Sequence, residues 1–101
     1  MELDEAESEI QVERQGARGR YVMPLPDSEP AELTFIEAAP GHLIIDNSWV
    51  PPRHRGRGVA LKLVKRAVAD ARANNVLLTP TCGYVAAEFR HHPEWADVLK
   101  R

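Results

Sequence analysis

The chain has 101 residues, of which 28% are charged and 44% hydrophobic, and its formal net charge is −2. This length and composition predict one folded domain with a single core. They exclude disorder of the whole chain and a membrane span of ~20 apolar residues, and the net charge gives no support for binding nucleic acid. The single cysteine, Cys82, excludes an internal disulfide and a cysteine-based zinc site.

The first residues are acidic and show no signal-peptide pattern. We therefore expect a flexible acidic tail over residues 1–8, a single domain over residues 9–101 and a cytoplasmic protein. Six of the fifteen acidic residues lie in residues 2–13, and seven of the thirteen Lys and Arg residues lie between Arg53 and Arg72. The basic concentration predicts a local anion-binding site.

Four strands are predicted in the first half of the chain. Alternating residues and short turn signals, among them Gly16 with Gly19 and a Pro-Gly-His hairpin turn, set their limits. The predicted strands span residues 9–15, 20–25, 32–39 and 43–50. Because they follow one another so closely, they predict an antiparallel meander.

The apolar period changes after residue 58. From Val59, apolar residues recur as in a helix with one buried stripe, and Asn74 and Asn75 end the pattern. The predicted stripe contains Ala60, Leu61, Val64, Ala67, Val68 and Ala71. A buried fifth strand over residues 76–82 and a short helix before Pro93 follow. The order β-β-β-β-α-β-α predicts an α+β domain in which helices pack on one mixed, mostly antiparallel sheet.

The segment between the fourth strand and the first helix contains the strongest functional signal. A Pro-Pro pair at residues 51–52 ends the strand, and Gly56 and Gly58 permit positive φ and a close approach of the backbone. The helix N-terminus that follows has unpaired N–H groups and the positive end of the helix dipole. With Arg55 and Arg57, these features predict a cradle for a phosphate or pyrophosphate.

Two familiar phosphate-binding loops are excluded. A P-loop needs a Lys-Ser or Lys-Thr pair after its last glycine, and the dinucleotide-binding fingerprint needs a third glycine where Leu61 stands. Two other interpretations of the segment stay open. It could be a solvated basic turn without a ligand, or a short Arg-Gly contact to nucleic acid, although no aromatic residues lie between the arginines to stack on bases.

The residues RHRGRG, from Arg53 to Gly58, match the [RQ]-x-x-G-x-[GA] signature of the GNAT superfamily of acyl-CoA-dependent N-acetyltransferases. With the later residues LLTPTCGYVAAEFRHHPEW, they resemble the small YjdJ-type branch, over roughly residues 30–99. The resemblance implies a GNAT-like sheet with splayed strands at the CoA site. It also implies transfer of an acetyl group from acetyl-CoA to an amine of a small molecule or protein. From the residues themselves we expect no metal, nucleic acid or membrane partner.

The resemblance further implies where CoA binds. The pyrophosphate would lie on backbone amides of the signature loop, and the pantetheine arm between the fourth and fifth strands. The implied CoA-binding residues are Trp49, Val50, Arg53, Arg55, Gly56, Arg57, Gly58, Val59 and Ala60. The backbone N–H of Val50 is the expected donor to the thioester oxyanion.

Cys82, Tyr84 and Asn47 are the candidate catalytic residues. Cys82 matches the cysteine proposed as the active residue of the branch, and the helix start would favour its thiolate, but a structural buried thiol is the alternative. Tyr84 is either an acid or a packing aromatic residue. Asn47 stands where relatives often have a histidine base, and it could orient a water. His42 and His54 are expected at the surface.

The alternative function is a CoA- or acyl-CoA-binding module with little or no catalysis, because the chain is short and the histidine of the relatives is absent. A third interpretation is an interaction domain whose arginine-rich loop binds an acidic partner. Neither the acceptor nor the oligomeric state follows from the sequence.

Overall fold

The computed structural model describes residues 9–101, and the predicted acidic tail over residues 1–8 lies outside them. The strands are β1 (Gln11–Gln15), β2 (Arg18–Met23), β3 (Ala31–Ala39), β4 (His42–Trp49) and β5 (Leu77–Pro80). The helices are α1 (Val59–Asn74) and α2 (Gly83–His91), and two 3₁₀ segments span Pro52–His54 and Pro93–Val98. The predicted order of strands and helices is confirmed.

The five strands form one sheet in the order β1-β2-β3-β4-β5. The first four strands pair antiparallel with their neighbours, as the short turns between them predict. Strand β5 pairs parallel with β4. A parallel pair needs a long crossover connection, and α1 lies within that connection. The predicted α+β architecture with a mixed, mostly antiparallel sheet is confirmed.

The core lies between one face of the sheet and the two helices. On β3, the buried Ala31, Leu33 and Phe35 alternate with half-exposed residues. Because successive side chains of a strand point to opposite faces, one face of β3 is packed and the other is not. Buried residues of β2, β4, β5 and both helices join these three in one apolar cluster.

Helix α1 has the predicted limits, but the start of its buried stripe differs from the prediction. Four residues of the predicted stripe are buried: Val64, Ala67, Val68 and Ala71. The prediction is wrong at the N-terminal end, where Leu63 is fully buried and Ala60 and Leu61 are only half-buried. The buried positions follow Val59 at i+4, i+5 and i+8, as one helical face does. Ala60 instead lines a cavity that is described below.

Strand β5 is shorter and less buried than predicted. It was expected as a buried strand over residues 76–82, yet within Leu77–Pro80 only Leu78 is fully buried. The reason is its position at the edge of the sheet. The C-terminal residues cover part of that edge, because Leu99 forms a bridge to Leu78 and the N–H of Lys100 donates to the Leu78 carbonyl at 2.8 Å.

Gly19 was predicted in a turn, but it lies within β2 beside the ring of Phe35. A Cβ on Gly19 would lie 2.4 Å from Cζ of Phe35 and 2.9 Å from the carbonyl oxygen of Glu13. Such distances are far below van der Waals contact, and Phe35 is 2% exposed, so its ring has little space to move. The absence of a side chain at Gly19 is therefore required by the core.

We expect Gly19→Ala to lower the free energy of unfolding by about 1–3 kcal/mol, because the new methyl group overpacks the core. Urea denaturation followed by circular dichroism measures the change. Gly83→Ala is the matched control, since no atom lies within 4 Å of the added Cβ. Its effect should stay below about 1 kcal/mol. Equal losses in the two variants would contradict the proposed overpacking.

Candidate functional site

The pairing of β4 with β5 stops halfway along β4. Residues 42–45 pair with β5, and no described strand pairs with residues 46–49 on this side of β4. The N–H groups of Thr81 and Cys82 both donate to the Ile45 carbonyl, at 3.0 and 3.3 Å, at the point where the strands separate. The predicted splay of the two strands is confirmed.

A β-bulge lies at the same point of β4. Thr34 of β3 pairs with Asn47 and Phe35 pairs with Ile45, so Asp46 is an extra residue in β4. The hydroxyl of Thr34 donates a hydrogen bond of 2.6 Å to the Asp46 carboxylate, which fixes this residue. Because a bulge bends and twists its strand, it redirects the last residues of β4 at the splay.

A cavity of about 380 Å³ lies between the end of β4 and the N-terminus of α1, and we call it the β4–α1 cavity. Its lining residues are Ser48, Trp49, Val50, His54, Arg55, Gly56, Gly58, Val59, Ala60 and Tyr84. Seven of the nine residues expected to bind CoA are among them. Arg53 and Arg57 are the two that do not line the cavity.

The loop before α1 has the backbone conformation of an anion cradle. Gly56 and Gly58 have φ values of 79° and 77°, in the left-handed region that favours glycine. No atom lies within 4 Å of a Cβ placed on either glycine, so both face open space. Gly58 is the N-cap of α1, and neither a capping side chain nor an acidic residue satisfies the first turn. The N–H groups there remain available to an anion.

The three arginines of the loop have different roles in the structure. Arg53 donates to the carbonyl oxygen of Asp27 at 3.0 Å, and Nε of Arg55 donates to the carbonyl oxygen of Val50 at 2.7 Å. These two side chains attach the loop to the rest of the domain. Arg57 forms no side-chain hydrogen bond or ion pair with any of residues 9–101, and it is exposed. Arg57 is therefore the guanidinium that is free to approach a bound anion.

The expectation that His54 lies at the surface is wrong, and His42 lies only partly at the surface. His54 is only 8% exposed, because the 3₁₀ segment Pro52–His54 turns it inward, and its Nε2 lies 3.2 Å from the Pro26 carbonyl oxygen. His42 is half-buried, with Nε2 2.7 Å from Oγ1 of Thr79. Since the imidazole of His54 bonds to the backbone, its role at the cavity wall is structural.

Cys82 is half-buried at the N-cap position of α2, and its Sγ lies 3.4 Å from Oγ of Ser48. Burial raises the pKa of the thiol, but the hydroxyl of Ser48 and the backbone amides of Val85, Tyr84 and Ser48 lower that pKa more. The sulfur forms no capping hydrogen bond with α2, so the amides act as nearby dipoles. The thiol of Cys82 therefore loses its proton more readily than the thiol of an ordinary cysteine.

Ser48 was not among the predicted site residues, although it lines the β4–α1 cavity and contacts Cys82. Ser48 pairs with the buried Leu33, so it faces the helices, whereas Asn47 pairs with Thr34 on the opposite face. The signal in the sequence is only a small hydroxyl residue near the strand end. The face on which Ser48 lies depends on the bulge, and no local sequence pattern predicts that bulge.

We expect Ser48→Ala to raise the pKa of the Cys82 thiol, because the substitution removes a hydrogen bond that favours the thiolate. At neutral pH the rate of alkylation by iodoacetamide should fall by about two- to tenfold, the effect of one neutral hydrogen bond. The pH dependence of the alkylation rate, followed by mass spectrometry, measures the shift. Ser28→Ala is the control. An unchanged pH profile in Ser48→Ala would show that the hydroxyl does not affect the thiol.

Tyr84 is 39% exposed and lines the β4–α1 cavity. Desolvation and the neighbouring Glu88 carboxylate raise the pKa of its phenol to about 12. The phenol therefore keeps its proton at neutral pH, and it can act as a hydrogen-bond donor but not as a base.

The structure brings Cys82 and Tyr84 together at the start of α2, but it does not bring Asn47 to them. Asn47 is exposed and lines a separate cavity on the other face of the sheet, together with Trp49. In residues 9–101, no three His, Cys, Asp or Glu side chains form a group that could hold a metal ion. None of the described helices is long and apolar enough to cross a membrane.

The chain is similar to known proteins in sequence and in fold. A sequence model for a family described as GCN5-related N-acetyl-transferase matches residues 20–98. The NMR solution structure of a Staphylococcus aureus protein named as a GCN5-like N-acetyltransferase is similar to this chain, with a TM-score of 0.67 and 22% sequence identity. The similarity covers 92% of this chain and 90% of that chain, and at this identity it shows the fold alone. No curated protein matches the sequence.

Proposed function

The chain belongs to the GCN5-related N-acetyltransferase family, and on this basis we propose that it transfers an acetyl group from acetyl-CoA to an amine. We further propose that it is a member of the YjdJ-type branch and acts in the cytoplasm. The observation that carries the proposal is the β4–α1 cavity, which joins the splay of β4 to two left-handed glycines at a helix N-terminus.

The proposed position of CoA follows from charge and from open backbone groups. The pyrophosphate is anionic, and the start of α1 combines N–H groups that have no side-chain cap with the free guanidinium of Arg57. The pantetheine arm would then follow residues 48–50, where β4 has lost its neighbour. The Val50 carbonyl oxygen already accepts a hydrogen bond from Arg55. We propose that the N–H of Val50 donates a hydrogen bond to the thioester oxygen.

In the proposed reaction, the amine nitrogen forms a bond to the acetyl carbon and the bond from that carbon to sulfur breaks. The attacking amine must lose a proton, and we propose that Asn47 orients the water that receives it. The CoA thiolate must gain a proton. A general acid works best with a pKa near the working pH, so we assign this role to Cys82, whose pKa is lowered, and a hydrogen-bonding role to Tyr84.

The test is amine-dependent release of CoA from acetyl-CoA, measured by liquid chromatography with a panel of amines. Release that depends on the amine, with an acetylated product of the expected mass, supports the transferase. If CoA raises the melting temperature but no amine is acetylated, the chain is a CoA-binding module. If CoA has no effect on the melting temperature, both functions fail and the interaction domain is favoured.

A further inference from the structure

A second cavity of about 510 Å³ lies at the same end of β4 on the other face of the sheet, and we call it the reverse-face cavity. Its lining residues are Arg20, Glu29, Pro30, Glu32, Asn47 and Trp49. The register explains its position, because Asn47 pairs with Thr34 and Trp49 pairs with Glu32. Leu33, which lies between Glu32 and Thr34 in β3, is buried and points to the helices, so its two neighbours point to the reverse face.

The two cavities are neighbours. Trp49 lines both of them, so the end of β4 is the wall that separates them. Beyond residue 45 no described strand supports this wall on the side of β5. A molecule in the reverse-face cavity can therefore approach a group in the β4–α1 cavity past the edge of a single strand.

The charges of the two cavities are opposite in sign. The charged side chain at the β4–α1 cavity is Arg55, and no carboxylate lines it. In the reverse-face cavity, Arg20 is already paired with Glu32 at 2.6 Å and with Glu13 at 2.9 Å. Glu29 forms no ion pair with any described residue, and it leaves a net negative charge at the cavity.

The reverse-face cavity also offers neutral groups that suit an ammonium ion. The side-chain amide oxygen of Asn47 is a hydrogen-bond acceptor, and the indole face of Trp49 attracts cations. Charge, aromatic surface and acceptor oxygen together select a cation. An anionic donor and a cationic acceptor would thus lie on opposite sides of one strand.

Provided that the proposed acetyl transfer is correct, we propose that the reverse-face cavity binds the acceptor, and that the acceptor is an aliphatic amine with a second positive charge. The distal ammonium is held by Glu29 beside Trp49, and the reacting amine points past the end of β4 towards the thioester. The cavity thereby selects diamines or lysine-like side chains over amines with a neutral or anionic end.

The experiment is an NMR titration of the ¹⁵N-labelled protein, saturated with CoA, with 1,4-diaminobutane, butylamine and 4-aminobutanoate. These probes share one amine and differ in the charge at the other end. We expect the diamine to shift the indole resonance of Trp49 but not that of Trp95. Beyond the statistical advantage of its two amines, it should bind about three- to fivefold more tightly than butylamine, the effect of one exposed ion pair. Glu29→Gln should remove this preference, so that the diamine and butylamine bind with equal affinity apart from the statistical advantage.

Glu94→Gln is the control, because it makes the same change of charge at an exposed position of Pro93–Val98, remote from the cavity. Equal weakening by Glu29→Gln and Glu94→Gln, equal binding of diamine and butylamine, or an unshifted Trp49 would overturn the proposal. If the diamine binds as expected but is not acetylated, the proposed transferase fails and the cationic site stands.

Discussion

Replacing Gly58 with valine should weaken the binding of CoA by about 10- to 100-fold, which corresponds to the loss of one or two charge-assisted hydrogen bonds. The substitution acts in two ways. A valine side chain would enter the open space in which the pyrophosphate is proposed to lie, and it would disfavour the φ of 77° that directs the N-terminus of α1. Isothermal titration calorimetry with CoA measures the change in Kd.

Gly16→Val is the matched control for Gly58→Val. Gly16 also has a left-handed φ, of 64°, and no atom within 4 Å of an added Cβ, but it lies in the turn between β1 and β2. Both variants should lose about 1–2 kcal/mol of stability through backbone strain. Only Gly58→Val should lose affinity for CoA. If Gly16→Val weakens CoA binding equally, the effect is one of stability and the cradle is wrong.

Replacing Cys82 with alanine should lower kcat by about 100-fold, the lower end of what a positioned general acid contributes. The Kd for acetyl-CoA should change by less than about twofold, because the proposed contacts to the pyrophosphate lie at the N-terminus of α1 and not at Cys82. Steady-state kinetics and calorimetry on the same preparation separate the two effects.

Tyr84→Phe serves as the comparison for Cys82→Ala. If Cys82 is the acid, the phenylalanine variant should retain more activity than the alanine variant. It should also retain the pH dependence of kcat that is set by the thiol. The opposite order would assign the proton to Tyr84, and unchanged turnover in Cys82→Ala would make the thiol structural.

The conformation of the loop before α1 could be predicted from the sequence because its signals are local. The prolines that end β4, the two glycines and the helical period after them lie within one short segment, and each has a separate physical meaning. The same holds for α1, whose limits depend on its own period and on Asn75. The roles of Arg53 and His54 were not predictable, since both contact residues 26–27, which are distant in the sequence.

The partner of Cys82 was missed for a different reason. Strict alternation from the buried Ile45 would put Asn47 on the helix face and Ser48 on the other face. The extra residue Asp46 reverses this order, so that Ser48 faces Cys82 and Asn47 faces the reverse-face cavity. The one-residue bulge thus places Ser48 on the side of the proposed CoA site and Asn47 on the side of the proposed acceptor site.

The cover on the outer edge of β5 has a consequence for assembly. Because Leu99 and Lys100 already occupy part of that edge, β1 offers the longer open outer edge of the sheet among residues 9–101. Growth of the sheet by strand addition is therefore expected at β1, where the β1 strand of one copy would join the β1 strand of another. Such pairing uses the free edge of both copies, so it closes as a two-fold dimer and cannot continue into a fibre.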